Sequence, residues 1–141
     1  MEDRYLYRGK RTDNGEWVEG CLLILDKCEY RIATSCLESE DELLQVCSYS
    51  VDPSTICQCT AVPDKDKTIM FENDIVRECG GVRGVIRFGR YGDEKTDYGF
   101  YIEWEKQQPY WRNDIYYWQS ELRVIGSIID NPELLEVQEE G

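Results

Sequence analysis

Apolar and polar residues alternate along most of the chain with a period of two, in short runs separated by turn residues. Residues 4–11 and 16–25 form the first pair of runs, and Asp13-Asn14-Gly15 between them is typical of a type I′ turn. Residues 29–36 alternate in the same way. The first part of the chain therefore predicts a β-hairpin followed by a third strand.

The same alternation continues almost to the end of the chain, interrupted by Pro, Gly and Asp. Ser39 followed by Glu42 has the spacing of a capping box and predicts a helical turn. Pro132 suits the first position of a second helical turn near the C-terminus. The other strand-like runs are residues 46–60, which predict two strands around a turn, and residues 70–78, 82–91, 99–104, 116–119 and 122–129.

Short strands with a turn roughly every 8–12 residues are typical of a β-sandwich or a small barrel. We therefore expect an all-β (mainly β) fold. It would have an N-terminal lobe containing the first hairpin, a small SH3-like barrel or sandwich lobe, and a short C-terminal helical turn. A chain of 141 residues suits a single domain, 1–141, which could divide into sub-lobes over residues 1–60 and 62–135.

The chain carries 29 Asp and Glu against 16 Lys and Arg, a formal charge of −13, and it has no His. Without His it cannot form a Ser-His-Asp or Cys-His nucleophile or a His-ligated metal site. The negative charge opposes binding to a nucleic-acid backbone, whose affinity comes mainly from Lys and Arg. We therefore expect protein partners and no direct binding to nucleic acid.

No run of apolar residues approaches the roughly 20 that a membrane helix needs. The longest run is Cys21-Leu22-Leu23-Ile24-Leu25, which is about the length of a strand. The opening residues Met1-Glu2-Asp3-Arg4-Tyr5 lack the basic-then-apolar order of a signal peptide. We expect no membrane contact and a cytoplasmic location.

The seven cysteines are an odd number, and no Cys-x-x-C pair occurs among them. A closed zinc site normally uses two closely spaced pairs, whereas here only Cys57 and Cys59 are close in sequence. On a strand these two side chains would share one face, as in ordinary core alternation. We expect reduced, mostly buried thiols and no metal.

Two acidic patterns could carry chemistry, and each has a simpler structural explanation. Asp64 and Asp66 imitate the start of a calcium loop, but Ile69 stands where that loop requires Gly. Glu72 and Asp74 would share one face of a strand, yet acids are so frequent in this chain that chance pairs are common. We expect no catalytic residues, no metal ligands and no cofactor.

Residues 110–118 contain five aromatic rings in nine positions, more than alternate burial in a strand requires. Tyr, Trp and Arg are enriched at interaction hot spots, so the segment is a candidate interaction surface. The alternative that the rings complete the core of a small barrel stays open. Stacking on single-stranded nucleic acid would need a basic groove that this composition does not favour. The candidate residues are Tyr110, Trp111, Tyr116, Tyr117 and Trp118.

Several separated motifs cover nearly the whole chain. They are Tyr-Arg-Gly-Lys-Arg and Asn-Gly-Glu-Trp-Val-Glu-Gly within residues 7–20, Val-Asp-Pro-Ser-Thr-Ile-Cys-Gln-Cys-Thr at 51–60, Phe-Glu-Asn-Asp-Ile-Val at 71–76, and Val-Ile-Gly-Ser-Ile-Ile-Asp-Asn-Pro-Glu-Leu-Leu at 124–135. In this order they closely resemble the YopX family of phage and prophage proteins. Any one motif alone would be weak, but together they are specific.

The resemblance implies a small, mostly β protein of a phage or prophage, acting in a bacterial host cell, forming homo-oligomers and lacking an assigned activity. It supplies no catalytic residues. The chain has Asn73 where the family pattern has Gly, and Asn is the non-Gly residue that best tolerates a positive φ. We predict that this turn is kept. Residues 66–67 replace an Asn-Gly turn of the family, so the pattern leaves that loop undetermined.

Two functions of different classes fit these observations. The first is a non-catalytic protein-interaction or self-assembling β module that engages a second copy, a host protein or a phage protein. The second is an acidic decoy that imitates DNA phosphates and inhibits a host nucleic-acid-binding protein. A decoy needs carboxylates along one face, whereas Arg77, Arg83, Arg87 and Arg90 scatter positive charge through the second half. We expect the first function. An enzyme relying on carboxylates alone would instead show a cleft with a strongly raised carboxyl pKa.

Overall fold

A computed structural model describes residues 5–26, 29–36 and 45–136 of the chain. The helical turn predicted at Ser39 and Glu42 lies outside these ranges. The chain divides into two compact units, Met1–Cys59 and Thr60–Gly141. Within the described ranges, no helix is long and apolar enough to cross a membrane.

The described residues form a mainly β fold, which confirms the predicted class. The helical segments are single turns: α1 (Ile115–Trp118), α2 (Glu133–Glu136) and 3-10 turns at Pro53–Thr55, Asp93–Lys95 and Gln119–Glu121. The strands are β1 (Tyr7–Lys10), β2 (Trp17–Leu25), β3 (Glu29–Cys36), β4 (Gln45–Ser50), β5 (Cys57–Pro63), β6 (Ile69–Phe71), β7 (Asp74–Arg77), β8 (Arg83–Tyr91), β9 (Asp97–Trp104) and β10 (Arg123–Ser127).

In the first unit the strands lie in the order β4-β3-β2-β1-β5, each antiparallel to its neighbours. The predicted β1–β2 hairpin is present, but its turn is not type I′. Residues 12–15 connect Arg11 to Glu16, which are joined by a backbone hydrogen bond of 2.9 Å. Gly15 has a positive φ of 74° and Asn14 does not. The Asn14 side chain instead accepts a hydrogen bond from the Glu16 N–H at 2.9 Å, which closes the longer loop.

The apolar core of the first unit contains Ile32, Val51, Cys57 and Cys59 among the described residues. The two cysteines occupy alternate positions of β5, so both side chains lie on its buried face, as predicted. Gly9 in β1 faces this core, where an added Cβ would lie 3.2 Å from the Val51 side chain. The small residue lets β1 pack closely against the core.

The cysteines differ in state from the uniform reduced, mostly buried thiols that the sequence predicts. Cys57 and Cys59 are buried and Cys21 and Cys79 are exposed, and none of these four is disulfide-bonded. Cys47 in β4 is disulfide-bonded, so the prediction of reduced thiols is wrong at this position. Two cysteines form a disulfide only if their Cα atoms lie within about 7 Å, and spacing along the sequence does not show such proximity.

In the second unit the strands lie in the antiparallel order β10-β7-β8-β9, and the last part of β5 lies beside β6. The strand pairs of the described residues leave the sheet open, so the unit is not a closed barrel. Its core combines residues of this sheet with residues of β5, β6 and the segment 115–122. The buried core residues are Val62, Met70, Val76, Ile86, Ile102, Trp104, Ile115, Trp118 and Leu122.

Asn73 has a φ of 74°, which confirms the predicted left-handed turn between β6 and β7. Its backbone N–H donates to the Ile86 carbonyl at 2.7 Å, and its carbonyl accepts from the Ile128 N–H at 2.9 Å. The turn therefore joins β8 to the segment after β10. Lys67 also has a positive φ, 69°, so the loop at residues 66–67 keeps a left-handed position without Asn-Gly.

The strand predicted over residues 116–119 is wrong, because Ile115–Trp118 form the helical turn α1. Ile115 and Trp118 are buried three positions apart, which is a helical spacing. The helical turn predicted after Pro132 is present as α2. The guanidinium of Arg83 donates a hydrogen bond to the Leu134 carbonyl and so holds α2.

Candidate interaction surface

The segment between β9 and α1 folds back along the edge of β9. The Ile102 N–H donates to the Asn113 carbonyl at 2.7 Å, and the Asn113 side chain donates to the Ile102 carbonyl at 2.9 Å. Tyr101 and Asp114 form a further antiparallel bridge. Backbone groups that a sheet edge would leave unpaired are thus satisfied locally. This return brings the predicted aromatic segment against the β8–β9 hairpin.

Trp104, Trp111 and Trp118 form a cluster, with ring centroids 4.9–5.0 Å apart and interplanar angles of 57–71°. These angles are typical of edge-to-face aromatic packing, worth about 0.5–1.5 kcal/mol per pair beyond the area buried. The indole N–H groups of Trp104 and Trp118 both donate to the Arg112 carbonyl, at 3.2 and 2.7 Å. One backbone oxygen therefore satisfies two buried indoles.

The five aromatic residues singled out in the sequence divide into two groups. Trp118 is buried and Trp111 is half-buried against the core. Tyr110, Tyr116 and Tyr117 are exposed, at 103%, 63% and 55%. Trp118 therefore acts as a core residue, Trp111 packs against the core and also borders the surface, and the tyrosines are the most exposed rings of the segment.

Tyr110 is exposed by a strained turn. The Trp111 N–H donates to the Gln108 carbonyl at 3.2 Å, which closes a turn with Pro109 at its second position. Tyr110 at the third position has a φ of 71°, where Gly or Asn is favoured. Pro109 suits this turn, and Tyr110 does not.

Two adjoining depressions of about 940 and 320 Å³ lie beside this segment, and we call them together the aromatic groove. Both are bordered by Tyr91, Gly92, Trp111 and Asn113. The rings of Tyr91 and Tyr101 stack with their centroids 5.1 Å apart and an interplanar angle of 18°. The groove therefore presents flat aromatic surfaces from β8, β9 and the returning segment.

Burial raises the pKa of Tyr91 above its usual value of about 10, and the nearby carboxylates of Asp114 and Asp97 raise it further. The Arg112 guanidinium opposes this rise, and it pairs with Asp114 at 3.1 Å. The Tyr91 hydroxyl therefore stays protonated at neutral pH and remains a hydrogen-bond donor.

The larger depression is lined by both acidic and basic side chains. Glu103 at its wall is paired with Arg87 at 3.6 Å. Arg90 and Lys95 also line it, and neither has a carboxylate partner among the described residues. In a chain with a net charge of −13, these two cations give the groove a local positive charge.

Asp64 and Asp74, which belong to the two acidic sequence patterns, accept hydrogen bonds from backbone N–H groups. One oxygen of Asp64 accepts from the backbone N–H groups of Asp66 and Thr68, at 2.8 and 2.9 Å, and the other accepts from Val124 at 2.9 Å. Asp74 accepts from a backbone N–H at the end of β6 at 2.8 Å. In the part of the chain that the structure describes, no group of three or more His, Cys, Asp or Glu side chains could hold a metal.

The sequence patterns did not identify the wall of the groove that β8 and β9 supply. Arg90, Tyr91 and Tyr101 belong to the strand-like runs at residues 82–91 and 99–104, where alternation indicates only which residues share a face. Their role depends on the return of residues 105–114 along β9. The one available signal was the density of aromatic residues, which does not show which rings meet.

The family model described as YopX protein matches residues 6–136 of the chain. The chain belongs to the YopX family. No curated protein matches this YopX chain. Family membership is typical of a phage-type protein whose function is unknown, so the function of this YopX protein must be argued from the aromatic groove and the exposed tyrosines.

Proposed function

We propose that this YopX-family protein is a non-catalytic protein-interaction module that self-associates through Tyr110, Tyr116 and Tyr117. The observation that carries the proposal is the joint exposure of these rings in one short segment. Tyrosine buries a large area on association and loses little side-chain entropy, so it is enriched at interaction hot spots. A host or phage protein would use the same surface.

The backbone at Tyr110 supports a role outside the fold. A non-Gly residue in a left-handed conformation costs about 1–2 kcal/mol, and the ring of Tyr110 is fully exposed. Strained positions often cluster at functional sites. A contact of this exposed ring with another molecule would give a reason for tyrosine at a position where the backbone favours Gly or Asn, and this supports the proposal.

Two exposed carboxyl groups have pKa values shifted away from the range that a general acid needs. The pKa of Asp13 is lowered by its hydrogen bond with Arg11, and the pKa of Asp52 by hydrogen bonds from Ser54. A general acid would instead need a pKa raised towards neutrality. Asp13 and Asp52 are exposed and lie outside the groove.

The arrangement of charges gives the DNA-mimic alternative little support. A decoy needs an uninterrupted row of carboxylates, but arginines are interleaved with the acids and pair with them. Pairs of this kind among the described residues include Arg11–Asp13, Arg31–Glu29, Arg83–Glu105, Arg87–Glu103, Arg112–Asp114 and Arg123–Asp66.

The test of self-association uses Tyr110→Gly, for which two measurements should change in opposite directions. Sedimentation velocity at several protein concentrations should show smaller species, because a hot-spot ring is lost. Urea unfolding at a concentration where the protein is dissociated should show a gain of about 1 kcal/mol, because Gly suits the left-handed turn.

Tyr116→Ser should also weaken association, and Tyr5→Ser is the matched control. Tyr5 is similarly exposed, at 64%, but lies in the first unit outside the segment. If the parent protein is monomeric at every concentration, or if all three variants assemble as it does, self-association through this segment is wrong.

A further inference from the structure

The aromatic groove offers hydrogen-bond donors that the protein does not use. Of the three indoles in the tryptophan cluster, Trp104 and Trp118 donate to the Arg112 carbonyl. The indole N–H of Trp111 has no acceptor among the described residues, although Trp111 borders both depressions. The protonated hydroxyl of Tyr91 is a further donor. A ligand rich in acceptors would complement this wall.

The aromatic rings that line the groove restrict the class of ligand further. The stacked rings of Tyr91 and Tyr101 and the ring of Tyr110 provide flat apolar surfaces beside these donors. A polyproline II segment has the matching properties, because its carbonyls face outward as acceptors and its prolines have no N–H. Its rings pack on aromatic surfaces, and its extended form is already ordered before binding.

Two cations that line the groove indicate that its ligand carries a negative charge. Arg90 and Lys95 line the same depression without carboxylate partners among the described residues. The chain as a whole is strongly acidic and would repel an acidic partner, so an acidic segment needs cations directly beside it, as Arg90 and Lys95 are in this groove. A carboxylate beside the prolines would pair with these cations.

We propose that the aromatic groove binds an extended, proline-rich segment of a partner protein that carries Asp or Glu beside its prolines. This proposal rests on the proposed function, because both require that this surface binds a protein partner. It adds the chemical class of the partner segment and the residues of this chain that contact it. Trp111 supplies the hydrogen bond to a prolyl carbonyl, and Arg90 and Lys95 bind the carboxylate.

The test uses fluorescein-labelled synthetic peptides and fluorescence anisotropy with the full chain. The probe has two Asp residues followed by about eight prolines, and its reference replaces the prolines by alternating Gly and Ser. We expect the proline probe to bind roughly tenfold more tightly, because it pays little ordering entropy. A third peptide with Lys in place of Asp should bind more weakly than the acidic probe, and most clearly at low salt.

Two variants connect binding to named atoms. Trp111→Phe keeps an aromatic ring in the cluster but removes the indole N–H, and it should weaken the proline probe by roughly two- to tenfold. Arg90→Gln should weaken the acidic probe and leave the Lys peptide unchanged or bound more tightly. Arg77→Gln is the matched control, because Arg77 is exposed and lies outside the groove. Urea unfolding checks that each variant is folded.

Equal binding of the proline and Gly-Ser probes would overturn the proposal, and so would unchanged binding by Trp111→Phe and Arg90→Gln. Tighter binding of an oligothymidine or of a neutral oligosaccharide would overturn it in favour of another ligand class. If the protein self-associates but binds no probe, only this inference fails. If it is monomeric and binds the proline probe through Trp111, self-association fails and the groove retains its partner.

Discussion

Asn73 is the residue at which side-chain type and backbone conformation agree most directly. Because its φ is 74°, Asn73→Gly should leave the free energy of unfolding unchanged or slightly raised. Asn73→Val should lower it by about 1–2 kcal/mol, because a β-branched side chain resists a positive φ. Urea unfolding of the two variants measures the difference, and equal stabilities would contradict the role of the turn.

Tyr110 has the same left-handed backbone conformation, but its residue type does not favour that conformation. Asn is a common left-handed residue, so the φ of Asn73 could be predicted from its type and position alone. Tyrosine gives no such indication, and the φ of 71° at Tyr110 follows from the turn that Pro109 begins and the return along β9 completes. The local signal therefore sufficed at one residue and was absent at the other.

The helical turn α1 contains both a buried ring, Trp118, and exposed rings, Tyr116 and Tyr117. Trp118→Ala should lower the free energy of unfolding by about 3–5 kcal/mol, because it leaves a cavity in the tryptophan cluster. Tyr117→Ala, one residue earlier and 55% exposed, should cost less than about 1 kcal/mol. Urea unfolding of both variants compares them, and similar losses would contradict the division into buried and exposed rings.

The misassigned strand at residues 116–119 has a physical cause. Ile115, Tyr116, Tyr117 and Trp118 are all large and apolar or aromatic, so neither a two-residue nor a helical period is visible among them. Burial of Ile115 and Trp118, three positions apart, decides the helical turn. That burial depends on residues distant in the chain.

For the whole molecule, the disulfide at Cys47 changes the expected thiol count. Since a disulfide removes two thiols, titration of the denatured protein without reductant should find at most five of the seven cysteines. Titration after reduction should find all seven. Recovery of all seven before reduction would contradict the disulfide, and it would restore the prediction that every thiol is reduced.

Local sequence patterns were sufficient to predict the features of this protein that depend on neighbours in the chain. Alternation of period two located the strands, with β3 matching residues 29–36, and turn chemistry predicted the conformation of Asn73. These signals are local, because side-chain direction in a strand and tolerance of a positive φ are set within a few residues.

Contacts between distant segments set which aromatic rings are buried, where the groove lies and which cysteine forms a disulfide. Each depends on a contact between segments far apart in the chain, such as Asn113 with Ile102. Composition supplied the aromatic density of residues 110–118, but the return along β9 placed Trp111 beside Tyr91 and left Tyr110 exposed. Alternation records the two faces of a strand, and it contains no information about which other segment covers each face.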